Sequence, residues 1–524
     1  GGHQCRRCTR PAPLGRTRLV TGVQRFLGTE TEYGILTPDD PGVSPLLSST
    51  HAVVAYAALH TAARSRWDYE EEAPLKDARG FDLQRYRTVP VVDPNALGVA
   101  NVVTGNGARF YVDHGHPEYS APETSNAWEA MIYDAAGDYY LNQAAASIQQ
   151  LWDEQVSVLR GHEPCPPLKL YKNNVDGKGQ SYGSHENYLY SRHTDFDLLT
   201  ASLIPFFVTR QVIIGAGRVG IGQRSERDGF QISQRADYFE QEVSLETTLN
   251  RGIINTRDEP HALAESFRRL HVIVGDANMS QYSNYLKLGM TKLVLDAIES
   301  GIDFSDLKLA DPVGAIAGVS HDPTLTYKLA LHDGRERSAI EILREYRRRC
   351  ADLGGKDSID THVLELWGEI LDDLERDPLS TADRLDWTAK WALLKSYLDR
   401  GVAPGDPKLQ LIDIQYADID PATSLYHALV RKDRMRTLVS SEEILHAATT
   451  PPSDTRAYFR GMTTQKFGDD IIASSWQSVT FAVADQPVKV SMDYVDSFTQ
   501  AEVGQIVAHA GSVAELIAAL GTLG

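Results

Sequence analysis

Cysteine is scarce: Cys5, Cys8, Cys165 and Cys350 are the four in 524 residues. So few thiols exclude a disulfide-stapled fold, and a chain this long buries a sufficient core without one. Cys5 and Cys8 form a single C-x-x-C with only His3 nearby, short of a structural zinc's ligand set. Long apolar runs are also missing. Nothing approaches the roughly eighteen apolar residues that span a bilayer, and no apolar signal core stands near the start. The expectation is a cytoplasmic protein without a membrane partner. Positive charge is in short supply, with 52 Lys and Arg against 71 Asp and Glu and a net charge of −19. That balance excludes a general nucleic-acid binder, which needs a basic face for phosphates. It leaves open an acidic ligand received by a local arginine cluster. No G-x-G-x-x-G follows a strand and no P-loop occurs, so neither common nucleotide-binding motif applies. No repeat of 20–50 residues is visible.

The composition that is present, 42% hydrophobic and 23% charged, belongs to a folded chain. Residues 1–25 carry six arginines after the first cysteine and no acid, and read as a disordered basic leader. Folded sequence starts near Phe26. In "FLGTETEYGIL" alternation puts Glu30 and Glu32 on one strand face and Leu27, Thr29, Thr31 and Tyr33 on the other. A helix is expected over 51–65, capped by Ser48, Ser49 or Thr50. From 66 to 106 charge, Pro and Gly mix without a period, which marks a functional or disordered loop inserted into the domain. Strands scattered among helices without regular strand–helix–strand spacing predict an α+β fold with a mainly antiparallel sheet. The catalytic domain is expected over 26–450, and a small C-terminal α/β domain over 451–524, after Pro451-Pro452.

Five groups of residues can carry chemistry. Glu30 and Glu32 are either a solvated strand face or, facing a cavity, hard oxygen ligands for Mg²⁺ and its phosphates. Arg109, Tyr111 and Asp113 share a strand face, and His114, His116, Glu118 and Glu123 follow in "HGHPEYSAPE". This is a salt-bridge patch or a metal–phosphate cradle with one carboxylate left to react. In "YGSHENY", Gly183 allows close approach and His185 can coordinate metal. Arg224, Arg227, Arg235, Arg251 and Arg257 crowd one region, to pair with neighbouring acids or with an anionic partner. Trp476 is a core residue or a platform for a nucleotide base.

The segments "GTETEYGI" and "RFYVDHGHPEYSAPE", followed by "SHENY" and "INTRDEPHA", resemble the Pup ligase and depupylase family from about Phe26 onward. The resemblance implies a glutamine synthetase-like domain with a curved antiparallel sheet packed by helices, related to the carboxylate–amine ligases. One branch of the family ligates the C-terminal Glu of Pup, a small disordered protein tag, to lysines. The other deamidates Pup's C-terminal Gln and cleaves Pup from lysines. "YVDHGHPEY" is one residue shorter than the ligase pattern "YLDVGSHPEY", and the 66–106 insertion resembles the loop of the deamidase/depupylase branch. That branch is the expectation and the ligase the alternative. By matching motif positions, the resemblance makes Asp113 catalytic. Glu30, Tyr111 and Glu118 become Mg²⁺ ligands, and Arg109 and Trp476 ATP contacts. Ala121 stands where the ligase has a nucleotide-contacting Thr. To these we add, from the residues themselves, Glu32 and His185 for metal, Arg257 for nucleotide, and Arg224, Arg227 and Arg235 for the acidic Pup. ATP and Mg²⁺ are the implied cofactors, and Pup and pupylated proteins the implied partners.

Overall fold

The computed structural model describes residues 24–60, 66–69, 72–80, 97 and 100–522, with the backbone of Arg7–Cys8. The alternation of "LGTETE" becomes strand β1 (Leu27–Glu32), with Leu27, Thr29 and Thr31 buried behind it. Around it lie β2 (Asn101–Val103), β3 (Arg109–Asp113), β4 (His116–Ser120), β5 (Ser184–Ser191) and β6 (Phe267–Val272). Their order is β6-β5-β1-β4-β3-β2, and every pairing is antiparallel. The α+β expectation with a large antiparallel sheet therefore holds.

β5 shows how one strand serves two faces. Glu186, Tyr188 and Tyr190 point into the core, while His185, Asn187 and Leu189 point the other way. Behind the sheet, α1 (Pro45–His60) and α2 (Ala127–Asp153) bury their apolar sides against Phe110, Val112 and Tyr119. α2 starts at Asn126, whose side chain accepts from Glu129 N. It approaches closely because a Cβ at Gly137 would lie 2.6 Å from the Tyr119 ring. Asp134 on α2 accepts from Thr29 Oγ1 at 2.7 Å and from the buried Lys172 at 2.8 Å, pinning the middle of β1 from behind. α3 (Phe196–Thr209) and α4 (Gln281–Glu299) lie in the larger core, where Arg210 holds Glu186 through two hydrogen bonds of 2.8 Å.

Three expectations change. Ser48, Ser49 and Thr50 lie inside α1 rather than at its cap. Ser44 accepts from Leu47 N and Pro45 opens the helix, while Thr50 bonds back to Leu46 O. Arg25, placed at the end of the leader, belongs to the folded body: it is 1% exposed and bridges Asp296 and Glu299 on α4. The leader also contributes Arg7–Cys8 as a strand, and its remaining residues through 23 lie outside the described residues. Within 66–106, Arg66–Trp67 and β2 are strands, and Asp77 accepts from Thr256 Oγ1 at 2.7 Å. Residues 70–71, 81–96 and 98–99 lie outside the described residues.

Strands β7 (Ile471–Ser474), β8 (Ser478–Val483) and β9 (Gln486–Ser491) form an antiparallel meander. Arg66–Trp67 adds in parallel to β7 and Arg7–Cys8 in parallel to β9, so this sheet draws on distant sequence. Its own core includes Phe459, Phe481, Met492, Val507 and Leu516. No helix among the described residues is long and apolar enough to cross a membrane.

Candidate active site

The front of the six-stranded sheet floors a cleft of about 770 Å³. Register decides which side chains meet there. Glu30 stands opposite Ser120 on β4 and His185 on β5, and Glu32 opposite Glu118. Tyr111 on β3 is opposite Glu118, and Arg109 is opposite Ser120. Asp113 ends β3 at a two-residue turn in which His114 and Gly115 both take positive φ, 46° and 88°. That turn sets Asp113 at the strand tip, where it joins the β1 and β4 acids.

Two sets of ligand atoms lie within 4.8 Å of one another: Glu30 with His185 and His271, and Glu32 with Asp113 and Glu118. In the first set His185 Nδ1 is 3.3 Å from Glu30 Oε2, and Arg269 is 3.8 Å from Glu30. Burial would push the Glu30 carboxyl up, but the His185 hydrogen bond and the charge of Arg269 bring it down to about 2. Burial and the neighbouring positive charge of Arg257 keep His271 neutral, well below the usual histidine range. In the second set burial, followed by the charges of Asp113, Glu32 and Glu30, holds Glu118 well above the usual range. Asp113 goes the other way. Burial again raises it, but His114, with Nδ1 3.0 Å from Asp113 Oδ1, outweighs burial and keeps it ionised. Asp113 bonding in turn raises His114. Neighbouring carboxyls with opposed protonation are a signature of acid–base or metal chemistry. The buried Glu118 Oε2 and His271 Nε2 have no hydrogen-bond partner among the described residues.

Arg109 lies at one wall, its guanidinium 4.1 Å from the Trp67 ring centroid and 3.9 Å from that of Tyr111, with Glu72 at 3.5 Å. Trp67 donates to Glu72 at 2.7 Å and meets Trp476 edge to face at 5.4 Å. Trp476 also lies against Arg460 at 4.9 Å, and Arg460 with Arg456 grips Glu123. Glu123 is thus a tether to the C-terminal segment. Trp476 borders both the cleft and a small apolar recess of about 80 Å³ that Leu27, Gly28, Ala121, Leu189, Pro260 and Val495 help line.

The structure therefore gathers Glu30, Glu32, Arg109, Tyr111, Asp113, Glu118, His185, Arg235, Arg257 and Trp476 around one cleft. It does not bring Arg224 and Arg227 there. A tight turn, with Ser225 N bonded to Gly222 O at 3.1 Å, carries both to the exposed surface beside the cleft rim. Gly183 serves its own neighbours: a Cβ there would collide with the His185 ring and come within 2.9 Å of Glu32. Sequence reasoning missed Arg269 and His271, although they alternate on β6 as Glu30 and Glu32 do on β1. It also missed Glu259 and His261, which reach the cleft from loop positions without a period to announce them.

The family model described as Pup-ligase protein matches residues 25–480. A protein named Pup deamidase/depupylase from Mycolicibacterium smegmatis is 50% identical over 504 residues, 94% of this chain and 99% of its own. A protein named Pup–protein ligase from Nocardioides is 41% identical over 370 residues, 69% of this chain and 80% of its own. A solved complex of Pup with its ligase PafA superposes with a TM-score of 0.76 at 30% identity, covering 95% of each chain. A PafA structure in complex with ADP gives a TM-score of 0.69 at 32% identity, covering 82% of this chain and 96% of that one.

Proposed function

The chain belongs to the Pup-ligase family, and we propose that within it this protein is a Pup deamidase and depupylase. It hydrolyses the side-chain amide of Pup's C-terminal Gln and the isopeptide bond between Pup and substrate lysines. The observation that carries this reading is the 50% identity along 94% of the chain to a protein of that name, against 41% along 69% to a ligase.

The residues fit a metal-bound nucleotide. Crowded carboxylates and a buried, partnerless Glu118 Oε2 call for a cation, and the apolar recess at Trp476 adjoins them. Glu30, Tyr111 and Glu118 would hold Mg²⁺, with Glu32 and His185 beside them. Arg109, Arg257 and Trp476 would hold ATP. When bound, the ion supplies positive charge that offsets the acids and polarises the carbonyl under attack. The chain's own contribution is Asp113. His114 engages one oxygen and keeps the carboxylate ionised. The other oxygen either attacks the amide carbonyl, giving an anhydride on Asp113 that water then hydrolyses, or takes a proton from an attacking water; by either route the C–N bond breaks, the departing nitrogen receives a proton that derives from water, and ammonia or the lysine amine is released. Amide hydrolysis is downhill, so ATP serves as a cofactor and is not consumed stoichiometrically. Trp67, Tyr69 and Glu72 reach Arg109 from the 66–106 insertion, which supports a role for that segment in covering the nucleotide.

The test is incubation with Pup ending in Gln, with and without nucleotide, followed by intact-mass measurement. Conversion of amide to acid in the presence of nucleotide is expected. A ligase would leave Pup-Gln unchanged and join Pup-Glu to lysine with ATP consumption, and that outcome would replace this reading.

A further inference from the structure

Three consecutive hydroxyls stand in the first turns of α1: Ser48, Ser49 and Thr50, all buried. A helical Ser or Thr ordinarily returns its hydroxyl to a carbonyl of the preceding turn. Ser48 does so, donating to Ser44 O at 3.3 Å and Pro45 O at 3.2 Å, and Thr50 does so with Leu46 O at 2.7 Å. Ser49 behaves differently. Its Oγ turns out of the helix and donates to Gly115 O at 2.8 Å, 66 residues away in the chain. Ser49 is 0% exposed and is not among the residues that line the cleft, so it stands behind the site and touches nothing that enters it.

Gly115 is the second residue of the turn that ends β3, and its placement reaches Asp113. His114, the first, takes a φ of 46°, a region that is costly for a residue with a side chain and persists only where the surroundings hold it. His114 supplies little of that hold itself: its side chain is 66% exposed, and its Nδ1 meets Asp113 Oδ1 at 3.0 Å. The turn is held from its two sides. On the β4 side His116 Nδ1 meets Tyr33 O at 3.1 Å, and its ring stacks on Tyr182 at 4.2 Å. On the α1 side the first helical turn lies against Gly115, where a Cβ would come 3.7 Å from Leu46 N, and Ser49 fixes the carbonyl. Contact therefore runs from Ser49 to the Gly115 carbonyl, along the backbone to His114, and through the imidazole to one oxygen of Asp113. That line decides which way the other oxygen faces.

We propose that Ser49 is a positioning residue for the reaction: by holding the Gly115 carbonyl it keeps the turn in the form in which His114 aims the Asp113 carboxylate at the amide. An alanine there leaves the buried end of that carbonyl without its donor and frees the turn to relax toward backbone angles that His114 prefers.

This inference rests on the proposed hydrolase activity, and the test separates the two. Ammonia release from Pup ending in Gln is followed with nucleotide for wild type, Ser49→Ala, His114→Ala and the double variant. Rates are counted per nucleotide-binding site, so that only folded protein enters. Ser49→Ala should lower kcat by roughly 10- to 100-fold, the scale of a small misplacement of a reacting group, with KM near wild type. Because Ser49 acts through His114, the double variant should be no slower than His114→Ala alone. A serine that only supports the fold would multiply the two losses. Ser49→Cys keeps the size with a weaker donor and should show a smaller drop in kcat, again silent in the His114→Ala background. It decides if the alanine variant folds poorly. Wild-type kcat in both Ser49 variants, a change in KM alone, or multiplied losses would overturn the inference and leave the hydrolase reading intact. No ammonia from wild-type enzyme would overturn the hydrolase reading itself.

Discussion

Replacing Glu118 with Gln should make the metal-free protein more stable and the metal-loaded protein less competent. Ligand atoms of Glu32, Asp113 and Glu118 lie within 4.8 Å of one another. At that separation and an effective dielectric of about 20, each pair of charges repels by about 3.5 kcal/mol. Glu118 is 2% exposed, and burial first and this repulsion second make it keep a proton, so its carboxyl sits well above the usual range. The sign follows from linkage. A carboxyl raised in the folded state binds more protons there than in the unfolded chain, so stability falls as pH rises above the ordinary value of about 4.3. The slope is about 1.4 kcal/mol per pH unit for as long as the folded protein holds the proton. Gln keeps the shape, removes the titration and so removes the slope. Urea unfolding in a chelator, at several pH values, measures it. Glu118→Gln should gain on wild type by about 1.4 kcal/mol for each pH unit over which folded wild type keeps the proton, and converge with it toward pH 5. Magnesium with nucleotide should then stabilise wild type more than the variant. Equal stability of the two proteins in chelator at pH 7, or an unchanged pH slope, would refute the crowding argument.

Asp113→Asn should abolish release of ammonia from Pup-Gln while nucleotide and Pup binding, followed by fluorescence, stay near wild type. A variant that deamidates at a comparable rate would remove Asp113 from the chemistry. Trp476→Ala should weaken nucleotide binding by roughly 10-fold or more, the loss expected of an aromatic platform, with fold retained by circular dichroism. Lys172→Met leaves Asp134 buried without its 2.8 Å partner beneath β1 and should cost about 3–5 kcal/mol in urea unfolding. If Glu30 holds metal, the same variant should lower metal affinity, since Asp134 accepts from Thr29 and Thr31, which flank Glu30 on the strand.

Much of the site was legible because a strand exposes alternate residues. The period in "GTETEYG" puts Glu30 and Glu32 on one face, and "RFYVD" does the same for Arg109, Tyr111 and Asp113. The motifs then placed these strands in one family. The Arg-rich stretch was less legible. Composition marks five arginines as a cluster, but a tight turn sends Arg224 and Arg227 to the surface while Arg235 and Arg251 turn inward. Helix caps failed for a local reason: Ser44 and Ser48 both qualify by type, and Pro45 decides between them.

By itself the chain determined its periods, its family motifs and the kinds of donor available, because those depend on neighbours a few residues apart. Only the tertiary structure decided partners. It set the register that faces Glu32 with Glu118 and Glu30 with His185. It brought Trp67 from an inserted segment to Trp476 near the far end of the chain. It also left Arg235 buried without an acid in contact among the described residues. Such outcomes turn on long-range pairing and on which charges lose their water, and neither is written in local sequence.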